Sequence, residues 1–83
     1  MQVSAPRVFR PFMQSEFFSV VVNGQRQQIP GDQSVAGLLD WLQVESDRVA
    51  VELNKNLVRK RDWDGTKVPD GAQIEIVEFV GGG

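Results

Sequence analysis

Residues 17–42 read FFSVVVNGQRQQIPGDQSVAGLLDWL, and the order of signals within them indicates how the chain begins to fold. Residues 17–23 are rich in aromatic and β-branched side chains, which favour a strand. Asn23-Gly24 is the strongest short signal for a hairpin turn. Residues 27–29 then form the returning strand, and residues 30–32 (PGD) end it. The folded part of the chain is therefore predicted to start with a β-hairpin.

A helix is predicted directly after this hairpin. Ser34 is a favourable N-cap residue. The apolar residues that follow recur at the spacing of one face of an amphipathic helix, about two and a half turns long. These residues are Val35, Leu38, Leu39 and Leu42. Trp41 falls beside this stripe, and we expect it to cover the edge of the core.

Three more strands are predicted after the helix. Residues 49–54 (VAVELN) alternate between the two faces of a strand, as a half-buried strand does. Residues 57–59 form a short strand, and Trp63 is predicted to anchor the loop that follows it. Asp70-Gly71 then turns the chain into the last strand, residues 73–80.

The predicted order β-β-α-β-β-β is typical of an α+β domain, with a mixed β-sheet and one main helix packed on one face. The chain is too short to cover the other face with a second layer, so that face is predicted to be open. In the last strand, Ile74 and Ile76 are expected to face the helix because side chains alternate along a strand. Val77 and Phe79 would then form an exposed apolar patch, which often marks an interaction site. A β-bulge that turns them into the core is the alternative.

The composition excludes several classes of function. The 83 residues include no cysteine, histidine or tyrosine, which excludes disulfides and the usual nitrogen and sulfur metal ligands. The common acid–base and nucleophilic mechanisms need such residues, so we predict a carrier or binding module, not an enzyme, with no bound metal or cofactor. A net charge of −2 argues against nucleic-acid binding. No stretch approaches the roughly 20 apolar residues of a membrane helix. We expect a cytoplasmic protein without membrane contact.

The two ends of the chain differ from its centre. Residues 1–14 contain two prolines, which forbid a regular helix, and are predicted to be a flexible extension of the domain at residues 15–80. Met13 is an alternative start of the protein. Residues 81–83 are three glycines, which have no side chain to clash in a narrow active site and extend over about 10 Å. The carboxyl group of Gly83 is therefore the predicted reactive group, and a frayed, inert terminus is the alternative.

These elements together resemble the ubiquitin-like β-grasp fold and, within it, the ThiS/MoaD family of bacterial sulfur carriers. The resemblance is greatest to the ThiS proteins of thiamine biosynthesis and runs from about Phe17 to Gly83. It rests on VNG at 22–24, SVAGLL at 34–39, VAVELN at 49–54, VRKR at 58–61 with Trp63, DG at 70–71 before IEIV at 74–77, and FVGGG at 79–83. The chain departs from the family in its N-terminal extension and in Lys60, where members often have proline.

The resemblance implies a cycle of sulfur transfer. A ThiF-like adenylyltransferase would use ATP to adenylate the Gly83 carboxylate. Sulfur from a donor of the cysteine desulfurase type would then replace AMP and leave a thiocarboxylate. A ThiG-like thiazole synthase would receive the sulfur. Gly81 and Gly82 would give the tail its reach, and the free protein is expected to be a monomer.

The partner-binding residues are predicted to lie around the last strand. They are Val77, Phe79 and Val80, with Phe17 and Val21 on the same open face. For Arg59 and Arg61 of the basic run 59–61 we prefer a solvated edge, and contact with acidic groups of the adenylating enzyme is the alternative.

Three other functions stay open from the sequence. The small subunit of molybdopterin synthase, which is MoaD-like, shares the fold and a Gly-Gly end but donates sulfur to a pterin precursor. A ubiquitin-like modifier would be joined to lysines through Gly83. A plain interaction domain would carry an inert tail. The VNG and VRKR segments favour the thiamine carrier.

Overall fold

The elements of the fold are given by a computed structural model, which describes residues 17–79. The strands are β1 (Phe17–Val22), β2 (Gln25–Pro30), β3 (Val49–Leu53), β4 (Asn56–Val58) and β5 (Gln73–Glu78), with the helix α1 (Val35–Trp41) and 3-10 helices at Ser46–Arg48 and Lys60–Gly65. The predicted order β-β-α-β-β-β is confirmed. Our predictions for residues 1–14, Val80 and residues 81–83 lie outside the described residues.

The strands form one mixed sheet in the order β2-β1-β5-β3-β4. β1 and β5 run parallel, with Val22 opposite Ile74, and the other neighbouring strands run antiparallel. The last strand in the sequence therefore lies in the centre of the sheet. Pro30 belongs to β2 instead of ending it as predicted, because β2 is an edge strand and needs no donor there.

Two tight turns connect the strands of the hairpins β1–β2 and β3–β4. Asn23 and Gly24 have φ angles of 50° and 84°. Two successive residues with positive φ make a type I′ turn, the connection that matches the twist of a hairpin. Asn54 and Lys55 repeat this arrangement between β3 and β4, with φ angles of 50° and 72°. The predicted hairpin at Asn23-Gly24 is confirmed.

The helix α1 begins as the sequence predicts. The Oγ atom of Ser34 accepts a hydrogen bond from the Gly37 N–H at 3.1 Å, which satisfies one free donor of the first turn. Val35, Leu38 and Leu39 are buried against the sheet. Trp41 is 52% exposed and is not packed on the core, so the expectation that it covers the core edge is wrong.

One apolar core lies between α1 and the sheet. Its fully buried side chains are Val20, Ile29, Val35, Leu38, Leu39, Val51, Val68 and Ile74. Trp63 is also buried, and its Nε1–H donates to the Val58 carbonyl at 2.9 Å. The predicted role of Trp63 as the anchor of its loop is confirmed.

Asparagine side chains from the two hairpin turns bind the central strand from both sides. Asn23 continues the β1–β5 ladder beyond the end of β1: its Oδ1 accepts from the Ile76 N–H at 2.7 Å, and its Nδ2 donates to the Ile76 carbonyl at 3.2 Å. From the other side, Asn54 Oδ1 accepts from the Gln73 N–H at 2.9 Å, and the Asn54 N–H donates to the Gln73 carbonyl at 2.7 Å. Both turns therefore fix β5.

We predict that Asn23→Gly destabilises the protein although glycine suits the positive φ of this turn position. The substitution removes both side-chain bonds to Ile76, and the expected loss is about 1–2 kcal/mol of unfolding free energy. Urea unfolding followed by tryptophan fluorescence measures it. Lys55→Gly is the control, because Lys55 has a similar φ and its side chain bonds no other described residue. Equal stability of Asn23→Gly and the natural protein would show that the asparagine serves the turn alone.

Candidate functional site

The sheet face that α1 leaves uncovered is the candidate site, and we call it the open face. Strand alternation assigns it Ser19 and Val21 of β1, Ala50 and Glu52 of β3, Leu57 of β4, and Gln73, Glu75 and Val77 of β5, with Phe17 and Phe79 at its ends. The opposite parity supplies the core, including Val20, Val51 and Ile74. The predicted division of β5, with Ile74 and Ile76 toward the helix, is confirmed.

An apolar patch lies where β5 leads toward the C-terminal end of the chain. Val77 is 56% exposed and Phe79 is 57% exposed. Ala50 lies directly opposite Val77 on β3. The β3–β5 register is continuous from Ile74 to Glu78, so no bulge turns Val77 inward. A large aromatic side chain that leaves more than half of its surface in water can bind a partner.

The last described anchor of the chain is a backbone hydrogen bond at Phe79. The Phe79 N–H donates to the Arg48 carbonyl at 2.7 Å. Together with the Asn23 bonds to Ile76, this contact fixes the direction in which the chain leaves the sheet. Sequence reasoning missed both groups. Asn23-Gly24 indicated only a turn, and no local signal shows which strand lies beside it.

Phe17 and Val21 lie on the open face but are far from the apolar patch. Because Val21 pairs with Gln73, Phe17 lies eight strand positions from the level of Val77, about 26 Å at 3.3 Å per residue. Phe17 is 41% exposed and Val21 is half-buried. The structure therefore does not bring the predicted docking residues of β1 together with Val77 and Phe79. Membership of one face was predictable, but the separation depends on the β1–β5 register.

The two arginines of the basic run lie in different places. Arg59 directly follows β4. The β3–β4 register, continued by one residue, places Arg59 opposite Ala50, which in turn lies opposite Val77. Arg59 is therefore two strand spacings, about 10 Å, from Val77. Arg61 lies in the 3-10 helix Lys60–Gly65. Both arginines are exposed. Arg59 is thus the member of the run that borders the apolar patch.

Two carboxylates face each other at the centre of the open face. Glu52 and Glu75 are exposed and directly opposite in the β3–β5 register. Like charges in this position destabilise a sheet. The ion pairs within residues 17–79 are Lys60–Asp47 and Lys67–Asp32, both at 3.0 Å, so neither glutamate is in an ion pair there. The pair is an unfavourable arrangement for the isolated domain and a favourable one for a cationic side chain of a partner.

Residues 17–79 contain neither a membrane-spanning helix nor a cluster of metal ligands. These residues contain no helix long and apolar enough to cross a membrane. They also contain no group of three or more acidic, histidine or cysteine residues that could hold a metal ion.

Comparison with known proteins identifies the family. Residues 20–83 match the sequence model of the ThiS family. The chain belongs to the ThiS family. The ThiS crystal structure from Geobacter metallireducens, described as a thiamine biosynthesis protein, superposes with a TM-score of 0.72 at 33% identity and covers 80% of this chain and 100% of that one. The ubiquitin-like β-grasp fold and the resemblance to ThiS proteins are confirmed.

Two further relatives differ in length from this chain. It is 41% identical over 64 residues to a thiazole synthase of Paramagnetospirillum magneticum. This match covers 77% of this chain but only 20% of the thiazole synthase. The chain is 34% identical over 65 residues to the uncharacterized protein ycf40 of Porphyra purpurea, which covers 78% of this chain and 92% of that protein. The chain therefore spans about one fifth of the thiazole synthase and nearly all of the shorter relative.

We predict that Glu75→Gln stabilises the domain, because it removes the repulsion with Glu52. The expected gain is about 0.2–1 kcal/mol of unfolding free energy. Chemical unfolding in urea measures it, and the gain should shrink at about 1 M salt, where charges are screened within about 3 Å. Asp64→Asn is the control, because it removes the same charge from an exposed side chain that is in no ion pair within residues 17–79. An equal gain from both variants would indicate an effect of net charge and not of the pair.

Proposed function

We propose that this protein carries sulfur for the formation of the thiazole part of thiamine, with the carboxyl group of Gly83 as the carrier. The observation that carries the proposal is the ThiS family match, which continues through Gly83. The exposed patch of Val77 and Phe79, a few residues before Gly83, supports it. In this role the protein is a co-substrate of its partner enzymes and not an enzyme itself.

The chemistry takes place on the carboxyl carbon of Gly83. A carboxylate is a poor electrophile, so a ThiF-like partner first joins it to AMP from ATP and releases pyrophosphate. A sulfur donor of the cysteine desulfurase type then supplies a persulfide, whose terminal sulfur attacks the acyl carbon. The bond to the AMP oxygen breaks, AMP leaves, and an acyl disulfide joins Gly83 to the donor. A thiol cleaves this disulfide by forming a new disulfide with the donor sulfur, which leaves a thiocarboxylate on Gly83. Gly81 and Gly82 add no side chains that would obstruct entry of this end into an active site.

The rigid part of the domain positions the reactive end. The apolar patch gives the adenylating enzyme a surface to bind, and Arg59 offers a cation at its border. The hydrogen bonds at Ile76 and Phe79 hold the chain in place up to Phe79. A partner bound to the patch therefore meets the residue from which the tail continues in a defined position. Residues 80–83 then cover at most about 14 Å into the partner.

The proposed recipient is a thiazole synthase of the ThiG type. The support is the similarity of this chain to one fifth of thiazole synthases from Paramagnetospirillum magneticum and Magnetococcus marinus. These two proteins contain a segment similar to this chain together with the remaining four fifths of their length. This association favours a thiazole recipient over the pterin precursor of molybdopterin synthase and over a lysine of a target protein.

We predict that Gly83 gains one sulfur atom in place of one oxygen. The protein is purified from cells that co-express a ThiF-like enzyme and a sulfur donor, and its intact mass is measured. The mass should rise by the difference between sulfur and oxygen, and fragmentation should assign the change to the C-terminal peptide. The variant that lacks Gly83 is the control and should stay unmodified. An unchanged mass, under conditions that load another ThiS protein, would contradict the proposal.

A second prediction concerns the apolar patch. Val77→Ser combined with Phe79→Ser should lower the kcat/KM of adenylation at least about tenfold, which corresponds to about 1.4 kcal/mol. Pyrophosphate release by the adenylating enzyme measures this rate at varied carrier concentration. The fold should survive, because both side chains are more than half exposed.

The matched control for the patch is Trp41→Ser. Trp41 is 52% exposed, similar to Val77 and Phe79, but belongs to α1 on the other side of the sheet. It should leave the adenylation rate within about twofold of the natural value, because surface substitutions away from a contact change little. A similar loss in both variants would show that the effect is not specific to the patch and would reject the patch as the binding surface.

A further inference from the structure

A groove lies on the helix side of the sheet, away from the open face. It has a volume of about 510 Å³ and is bounded by the C-terminal end of α1, the residues that follow it, and strands β1, β2, β3 and β5. This size is within the roughly 300–1,000 Å³ of ordinary ligand pockets. No step of the proposed sulfur transfer uses the groove.

The lining of the groove has a distinct chemistry. Its apolar side chains are Val22, Leu42, Val44, Val49 and Ile76. Its charged lining residues are Glu45 and Glu78, and its remaining lining residues are Asn23, Gln27 and Gln43. The groove therefore combines an apolar surface with two carboxylates and contains no cation. Its complement is a segment that combines apolar and basic side chains and contains no acid.

The chain itself contains such a segment. Residues 1–14 include the apolar run Val8-Phe9 and Phe12, and their charged side chains are Arg7 and Arg10. Two prolines in this segment favour an extended backbone, which can lie along a groove. We propose that residues 1–14 bind in the groove of the same molecule, with aromatic side chains on its apolar surface and arginines toward Glu45 and Glu78.

The length of the segment allows this binding. Phe9 precedes Phe17 by eight residues, about 25 Å of extended chain at 3.1 Å per residue. Val22, on the wall of the groove, follows Phe17 by five residues, about 17 Å along β1. The remaining length of about 8 Å is available for the reversal of chain direction that must precede Phe17.

Binding in the groove acts on the end of β5. Asn23 and Ile76 line the groove, and they are also the residues joined by the two side-chain hydrogen bonds beside the apolar patch. A segment packed on these residues excludes water from the two hydrogen bonds and so stabilises the contact between Asn23 and Ile76. Under the proposed function, the extension would therefore hold the base of the reactive tail while the open face stays available to the partner enzymes.

The test uses the full chain and its lack of cysteine. A spin label attached to the Ala5→Cys variant broadens the NMR signals of amide groups near residue 5. We expect a loss of more than half of the signal intensity for the amides of Gln43, Val44 and Glu45. The reference is the spectrum of the same protein after the spin label has been chemically reduced. The amides of Lys55, Asn56 and Leu57, at the far end of the sheet order, should keep their intensity. Equal broadening of both groups, or none, would overturn the proposal.

Matched charge variants test the arginine contacts. Glu45→Gln with Glu78→Gln should reduce the broadening of the groove amides at least about twofold, because the double variant removes both negative charges that attract the arginines, and such attraction acts over a Debye length of about 10 Å. Glu52→Gln with Glu75→Gln is the control, since it removes the same charge from the open face and should leave the pattern unchanged. The opposite order of effects would place the segment on the open face and reject the groove.

A mixing experiment separates binding within one molecule from binding between two copies. Isotope-labelled natural protein is mixed with unlabelled, spin-labelled Ala5→Cys protein. The groove amides of the natural protein should keep their intensity, whereas broadening in this mixture would show that a second copy supplies the segment and would overturn the proposal. None of these measurements requires sulfur transfer, so a failed carrier function would leave the result interpretable.

Discussion

The central position of β5 is the constraint on which the rest of the structure depends. β5 is the last strand in the sequence, yet it pairs with both β1 and β3. Each neighbour adds an asparagine side chain from its turn, Asn23 toward Ile76 and Asn54 toward Gln73. Residues 53 positions apart must meet before this arrangement exists, and such long-range pairing is what slows folding in β-rich domains. The sheet is complete only when β5 is in place.

This constraint also explains why the two faces of the sheet differ. The alternation along β5 sends Ile74 and Ile76 to the helix layer and leaves Glu75, Val77 and Phe79 on the open face. Within residues 17–79 no second helix packs on the open face, which can therefore carry side chains that suit a partner. The repulsion between its opposed glutamates and the exposure of its phenylalanine to water are both unfavourable in the isolated domain. A bound partner could relieve both.

Sequence reasoning predicted the features that depend on neighbours along the chain. The turn at Asn23-Gly24, the cap at Ser34 and the anchor at Trp63 are local, and the structure confirms them. Sequence reasoning could not predict the hydrogen bonds of the two asparagines to β5, because these bonds depend on which strands lie beside β5. For a similar reason the distance between Phe17 and Val77 was not predictable: alternation gives the face of a side chain, while its distance from Val77 follows from the pairing of Val21 with Gln73.

The groove and the reactive end are coupled through Asn23 and Ile76 if both proposals hold. Exposed ion pairs contribute only about 0.2–1 kcal/mol each, whereas a fully buried aromatic side chain contributes about 1.5–3 kcal/mol. The phenylalanines would therefore determine how often the groove is filled, and the arginines would select the orientation of the segment. Coupling between two sites is reciprocal. A partner that binds at the end of β5 should raise the affinity of the groove for residues 1–14 by the same factor by which bound residues 1–14 raise the affinity for the partner. The two ends of the chain would then act on each other through β5.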